Sequence, residues 1–176
     1  MTFYESDLQF QFDARHWVVK KYDDHRYYQG LSSVGLKAVD FIGLLDWETV
    51  VLIEVKNYRN RPEREQERIL QKIAGEAHLL ETFDKKVRDT LQAIRVITRY
   101  FGHKWLYRQL APYFSNRSIW QHFAQRDWIF WTLANRAIKR QRVVLVLWLE
   151  LSDAYDGLTT QSMDNVRTYL AGQASS

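Results

Sequence analysis

The feature that most limits what this chain can become is the run Val143-Val144-Leu145-Val146-Leu147-Trp148-Leu149, in which no position is polar. Strand side chains alternate between two faces, so a strand apolar on both must be covered above and below. The run reads as a buried central strand, and helices are the expected covers. Two more strand signals lie at 38–45 and 49–56, short apolar runs rich in β-branched residues. Asp46-Trp47-Glu48 separates them and reads as a hairpin turn.

Helical spacing marks the covering layers. Past Pro62, Ile69, Leu70, Ile73, Ala74, Ala77 and Leu80 recur on one face. A second helix is predicted over 85–101, with Asp84 as N-cap, a stripe of Val87, Leu91, Ile94 and Ile97, and Gly102 as its stop. A third is predicted over 118–139 and a short one over 161–170. In the first 37 residues, Leu8 to Phe12 alternates like a strand. Trp17, Val18, Lys21 and Tyr22 fit a helix, and at least one element there should join the sheet. The expectation is an α/β fold, a small mixed central sheet flanked by helices, in one domain over 1–176. A chain of 176 residues buries roughly 70% of its unfolded surface.

Chemistry concentrates in the 38–56 hairpin. Glu54 and Lys56 are two apart and share a strand face, with Val50 and Leu52 below them and Val51, Ile53 and Val55 opposite. With the turn centred on Trp47, paired numbers sum to 94, which sets Asp40 across from Glu54 with Cβ atoms within about 5 Å. A one-residue slip would send Asp40 to the other face. Two ionised carboxylates in an apolar sheet repel and cost several kcal/mol unless compensated. A divalent cation compensates, and Mg²⁺ or Mn²⁺ suits oxygen ligands from Asp40, Glu54 and the Val55 backbone carbonyl. Lys56 beside them would orient a water or neutralise a phosphorane-like transition state, and partial burial would lower its pKa. The plainer reading is a structural ion cluster, since Glu-X-Lys at a strand end commonly makes one.

The other chemical classes find little support. The chain has no cysteine, so disulfides, thiol nucleophiles and cysteine zinc sites are excluded. His16, His25, His78, His103 and His122 show no zinc spacing, and no Gly-rich phosphate loop or nucleophile elbow occurs. The N-terminal residues lack the pattern of a signal peptide and no apolar run approaches bilayer length, which predicts a soluble cytoplasmic protein without membrane contact.

Asp40 in Lys37-Ala38-Val39-Asp40-Phe41-Ile42, followed by Glu54 and Lys56 in Leu52-Ile53-Glu54-Val55-Lys56-Asn57-Tyr58, resembles the PD-(D/E)XK, or restriction-endonuclease-like, superfamily. Val39 stands where the family name has proline. The resemblance implies an αβββαβ core with a helical, aromatic-rich insertion over about 103–140. It further implies a Mg²⁺-dependent nuclease acting on nucleic acid, with DNA the expected substrate. Asp40 and Glu54 would be metal ligands and Lys56 the catalytic lysine. An upstream acid is implied as well, for which Glu5 is chosen over Asp7, Asp13, Asp23 and Asp24. A homodimer is an expectation of the same origin. Some members have lost catalysis, so the alternative is an inactive module that binds nucleic acid or a protein.

The formal charge of +4 and the pI near 9.3 are unevenly distributed. Arg59, Arg61, Arg64 and Arg68 follow the Glu-X-Lys, and Arg136, Lys139, Arg140 and Arg142 precede the last strand; either cluster suits a phosphate backbone or a solvated face. Lys85 and Lys86 are expected at a helix start, where they read first as exposed lysines and second as a site whose clash with the macrodipole a phosphate would relieve. Nine aromatics between Trp105 and Trp131 read first as core, then as a self-association face, and last as a base-stacking surface.

Overall fold

The computed structural model describes residues 1–33, 35–59, 77–104, 109 and 125–150. In order, these form β1 (Thr2–Glu5), β2 (Leu8–Gln11), β3 (Trp17–Lys21), α1 (Arg26–Ser32), β4 (Phe41–Leu45), β5 (Thr49–Asn57), α2 (Ala77–Gly102), α3 (Asp127–Lys139) and β6 (Val143–Glu150). The sheet order is β3-β4-β5-β6. β3–β4 and β4–β5 are antiparallel, and β5–β6 is parallel. The sheet is therefore mixed and helix-flanked, as the pattern predicts.

The two sheet faces have different covers. Val18, Ile42, Leu44, Val50 and Leu52 pack with Phe83, Val87, Ile94 and Ile97 of α2 and with Phe130, Trp131 and Ala134 of α3. Val19, Phe41, Val51, Ile53 and Val55 pack instead under Phe3, Leu8 and Phe10 of the separate β1–β2 hairpin and Phe12 just beyond it. Phe3 and Phe10 meet the Phe41 ring at centroid distances of 5.7 and 5.5 Å. Among the described residues, helices cover one face and the β1–β2 hairpin lies on the other. Within each of β1 and β2 exposed and half-buried residues alternate, and the half-buried side, with Phe3, Leu8 and Phe10, serves as the lid.

Several local expectations need correcting. Residues 17–21 are strand, not helix; the run Trp17-Val18-Val19 carries two β-branched residues and adds an antiparallel edge to β4. There is no leading helix before the first strand, and α1 lies between β3 and β4. β6 is an outer strand among the described residues, with Val144 and Trp148 about half exposed, so apolarity on both faces did not make it central. Asp84 lies inside α2 and pairs with Arg88 at 2.6 Å. Gln125 and Arg126 are not helical, and the backbone of Arg126 is extended, so no single helix spans 118–139. Asp127 opens α3, where its charge favours a first turn. Within the segment expected to be an insertion, α3 is part of the main core. Its Phe130 and Trp131 are buried, as the core reading of the aromatics expects. The aromatics from Trp105 to Phe123, the helix after Pro62 and the closing helix over 161–170 lie outside the described residues.

Two tight points hold the sheet in register. Asp46 and Trp47 both have positive φ, 48° and 63°, with Glu48 N–H donating to the Leu45 carbonyl at 3.1 Å. This is the backbone hand that a short hairpin demands. Ordinary side chains resist it, and the His16 carbonyl fixes the turn by accepting from the Asp46 N–H at 2.8 Å. At Gly43 a Cβ would lie 2.8 Å from the Trp17 ring, so only glycine lets the indole lie across β4.

Candidate metal and phosphate site

The β4–β5 ladder pairs Phe41 with Ile53 and Leu45 with Thr49. These numbers sum to 94, the predicted register, and the next position outward sets Asp40 against Glu54. Asp40 is a bend just outside β4. Its carbonyl accepts from Tyr22 N–H at 2.7 Å, and its Oδ2 accepts from Val55 N–H at 2.6 Å. The carboxylate thus takes the place of the next backbone acceptor along β5. Helix α2 anchors the approach: Asp89 accepts from Lys37 N–H at 2.9 Å, and the buried Thr90 hydroxyl accepts from Val39 N–H at 3.2 Å.

Strand parity places the Val55 carbonyl. Val50 and Tyr58 donate their N–H groups toward the β6 side, to Arg142 and Glu150. The N–H and C=O of one strand residue leave on the same side. Odd residues of β5 therefore face β4, and the Val55 carbonyl points past the end of β4 toward Asp40.

Glu54 is 1% exposed. Its Oε1 accepts from Lys56 Nζ and from Lys86 Nζ, each at 2.6 Å. Its Oε2 is buried and has no hydrogen-bond partner among the described residues. Such an atom ordinarily carries a desolvation cost of about 1–3 kcal/mol or more. Burial and the charge of Glu54 push the Asp40 carboxyl up to about 6, against the pull of the Val55 N–H, Lys86 and Lys56. For Lys56, burial would lower the pKa, but its hydrogen bond to Glu54 and the charges of Glu54 and Asp40 outweigh it and raise the pKa. This corrects the expectation of a depressed lysine: Lys56 is a held ammonium, suited to donating hydrogen bonds and carrying charge.

Glu5, the acid chosen upstream, and its rival Asp23 both lie beside Asp40. Side-chain oxygens of Glu5, Asp23 and Asp40 lie within 4.8 Å of one another. Glu5 is already in contact with Lys21 Nζ at 3.1 Å, and Lys21 also reaches Asp24 at 2.9 Å. Burial and the charge of Asp24 raise Asp23. The carboxylates Glu5, Asp23, Asp24, Asp40 and Glu54 outnumber the ammonium groups Lys21, Lys56 and Lys86. Negative charge is left over. Glu5, Asp23 and Asp40 offer all-oxygen donors close enough together to hold a hard divalent metal, while Glu54 stands outside that trio, across the ladder from Asp40.

The remaining basic residues divide. Arg59 adjoins the site in sequence and turns toward Glu150 of β6 at 3.9 Å. Arg61, with Arg64 and Arg68, lies outside the described residues. Arg136, Lys139 and Arg140 are on the last turn of α3 and its cap, which leads into the Val143–Val50 end of the sheet, opposite the Glu54–Lys56 end. The structure does not bring them to the carboxylates, and Arg142 there pairs with Glu48. Lys85 and Lys86 lie about two turns beyond Ala77, inside α2, so the macrodipole argument does not apply to them. Lys86 reaches the site by another route, on the row Phe83, Lys86, Val87, Thr90 and Ile94 that faces the core. A lysine in phase with an apolar stripe was the available sequence signal.

No family model matches the chain, and no curated protein or solved structure matches it. Among the described residues no helix is long and apolar enough to cross a membrane.

Proposed function

We propose that the chain is a Mg²⁺-dependent nuclease of the PD-(D/E)XK type, hydrolysing phosphodiester bonds of nucleic acid, with DNA the favoured substrate. The observation that carries this reading is the orphaned Glu54 Oε2, buried at the strand end where Asp40 and Lys56 converge. The large majority of buried side-chain polar atoms are hydrogen-bonded, and of the three orphaned ones among the described residues, Tyr22 Oη, Trp131 Nε1 and Glu54 Oε2, only the last belongs to a carboxylate. The described order β3-α1-β4-β5-α2-α3-β6, with β3, β4 and β5 antiparallel and β6 parallel to β5, supports a mixed core of the kind the resemblance implies, although α1 interrupts the strands and no helix leads them.

Asp40, Glu54 and the Val55 carbonyl would hold the metal, with Glu5 as the upstream acid. When bound, the ion would acidify a water and neutralise charge on the scissile phosphate. The chain's own contribution is placement. Asp40 is locked by the Val55 N–H, and Glu54 is locked by two ammonium groups. Lys56 is about one-third exposed and keeps donors free for a phosphate oxygen or the attacking water. The reaction adds water across one P–O bond: the hydroxyl oxygen joins phosphorus, the ester bond breaks, and the leaving oxygen gains a proton.

The test is incubation with plasmid, linear duplex, single-stranded DNA and RNA in Mg²⁺ or EDTA. Mg²⁺-dependent cleavage, absent in Asp40→Ala, is expected. A folded protein that cuts none of these and gains no thermal stability from Mg²⁺ or Mn²⁺ would refute the reading and favour the non-catalytic module.

A further inference from the structure

In the reading above, on which this inference rests, Lys86 does no more than hold Glu54. The core-facing row of α2 is an expensive place for a lysine, because its stem loses up to about 2 kcal/mol of rotamer freedom and its ammonium loses water. One ammonium would neutralise Glu54, and Lys56 already supplies it. Lys86 adds a second on the same oxygen, also at 2.6 Å, so two cations stand side by side there and repel each other, with the charge of Asp40 close by.

Both lysines keep a way out. Their side chains are 34% and 20% exposed, and each ammonium has three donors, of which Oε1 engages one. Since both nitrogens touch one oxygen, they lie within twice that contact distance of each other. That is close enough for both to reach a single phosphate group. They come from different elements, β5 and α2, and α2 is tied to the Asp40 approach through Asp89 and Thr90.

We infer that Lys86 is a second cationic residue of the site, which with Lys56 grips the non-bridging oxygens of the phosphodiester that is cut. Lys86 makes and breaks no covalent bond and transfers no proton. It donates hydrogen bonds and offsets the negative charge that grows on the phosphate as water attacks.

The test compares wild type with Lys86→Met, which keeps the apolar stem, and Lys86→Arg, which keeps the charge. Thermal unfolding is recorded on each. One readout is Mg²⁺-dependent cleavage of plasmid DNA; the other is ³¹P line broadening of inorganic phosphate by the protein in Mg²⁺. Lys86→Met is expected to lower kcat roughly 100-fold with a smaller change in KM, and to abolish the broadening. Lys86→Arg should keep the broadening and cleave within about tenfold of wild type. A Lys86→Met protein that cleaves and broadens like wild type overturns the inference and leaves the nuclease reading intact. If wild type cleaves no nucleic acid while Lys86→Met alone loses the broadening, the nuclease reading falls and the two-lysine phosphate site stands. Should Lys86→Met fail to fold, loss of both signals in a folded Lys86→Arg counts against the inference.

Discussion

Two carboxylates in this molecule are each held by several cations, and they are held differently. Asp127, at the start of α3, uses both oxygens: Oδ1 meets Lys20 at 2.7 Å and His25 at 3.4 Å, and Oδ2 meets Arg26 at 2.6 Å. Burial alone would raise its pKa, but the Lys20 hydrogen bond and the surrounding cations outweigh it and lower the pKa. Glu54 is the more deeply buried, yet its cations crowd onto one oxygen and the other has no partner among the described residues. Asp127 is a closed staple joining β3, α1 and α3. Glu54 keeps one buried oxygen open to a further donor or cation. The two carboxylates differ in whether the second oxygen is satisfied, and under the proposed function that difference marks Glu54 as the metal-facing one.

Activity should separate the two most sharply. Asp40→Ala and the near-isosteric Glu54→Gln are each expected to lower Mg²⁺-dependent cleavage by at least roughly 1000-fold, while Asp127→Asn leaves the rate per folded molecule unchanged. Comparable losses from all three, measured as initial rates on plasmid, would erase the distinction. Metal response comes next. At neutral pH, Mg²⁺ at about 100 times its Kd should stabilise wild type and Asp127→Asn by about 2.7 kcal/mol, with no such gain in Asp40→Ala; calorimetry with and without EDTA reads this directly. Third, Asp127→Asn should cost about 1–2 kcal/mol in urea unfolding, because Lys20 loses its charge partner in a half-buried setting.

The smallest effect is the slope with pH, and here the two sites should have opposite signs. Asp40 is raised from 3.8 to about 6 in the folded chain, so the folded state binds that proton more tightly. Without metal, its ionisation therefore removes stability as pH climbs from about 4 to about 6, by under about 1 kcal/mol once solvent screening is allowed for. Asp127 is lowered, so it contributes stability above its unfolded value that is lost as pH falls through its folded pKa. Asp40→Asn should flatten the first slope and Asp127→Asn the second. Parallel changes in the two variants would contradict the assignment.

Much of the site was legible because its determinants are local. The 38–45 and 49–56 runs and the turn between them fix the register by arithmetic, and Phe41–Ile53 pairing follows it. The placement of Lys86 depends on the phase of α2 against a sheet some 30 positions earlier, and α2 begins well before residue 85, which sets Lys86 on the core face and not at the terminus. The same limit explains β6. Its apolar sequence reports that both faces are covered or partly covered, whereas sheet order depends on which neighbours arrive. Likewise, no periodicity in Leu8 to Phe12 reveals that its hydrophobic side caps Phe41 and Ile53 instead of joining the main sheet.

The most direct measurement is the anomalous difference density of a crystal soaked in Mn²⁺ near pH 7.5. A peak within about 2.0–2.6 Å of Glu54 Oε2 and an Asp40 oxygen, with Lys56 and Lys86 still on Oε1, is the expected result. No peak there at saturating Mn²⁺, or an ion held by Glu5 and Asp23 with Glu54 untouched, would contradict the account.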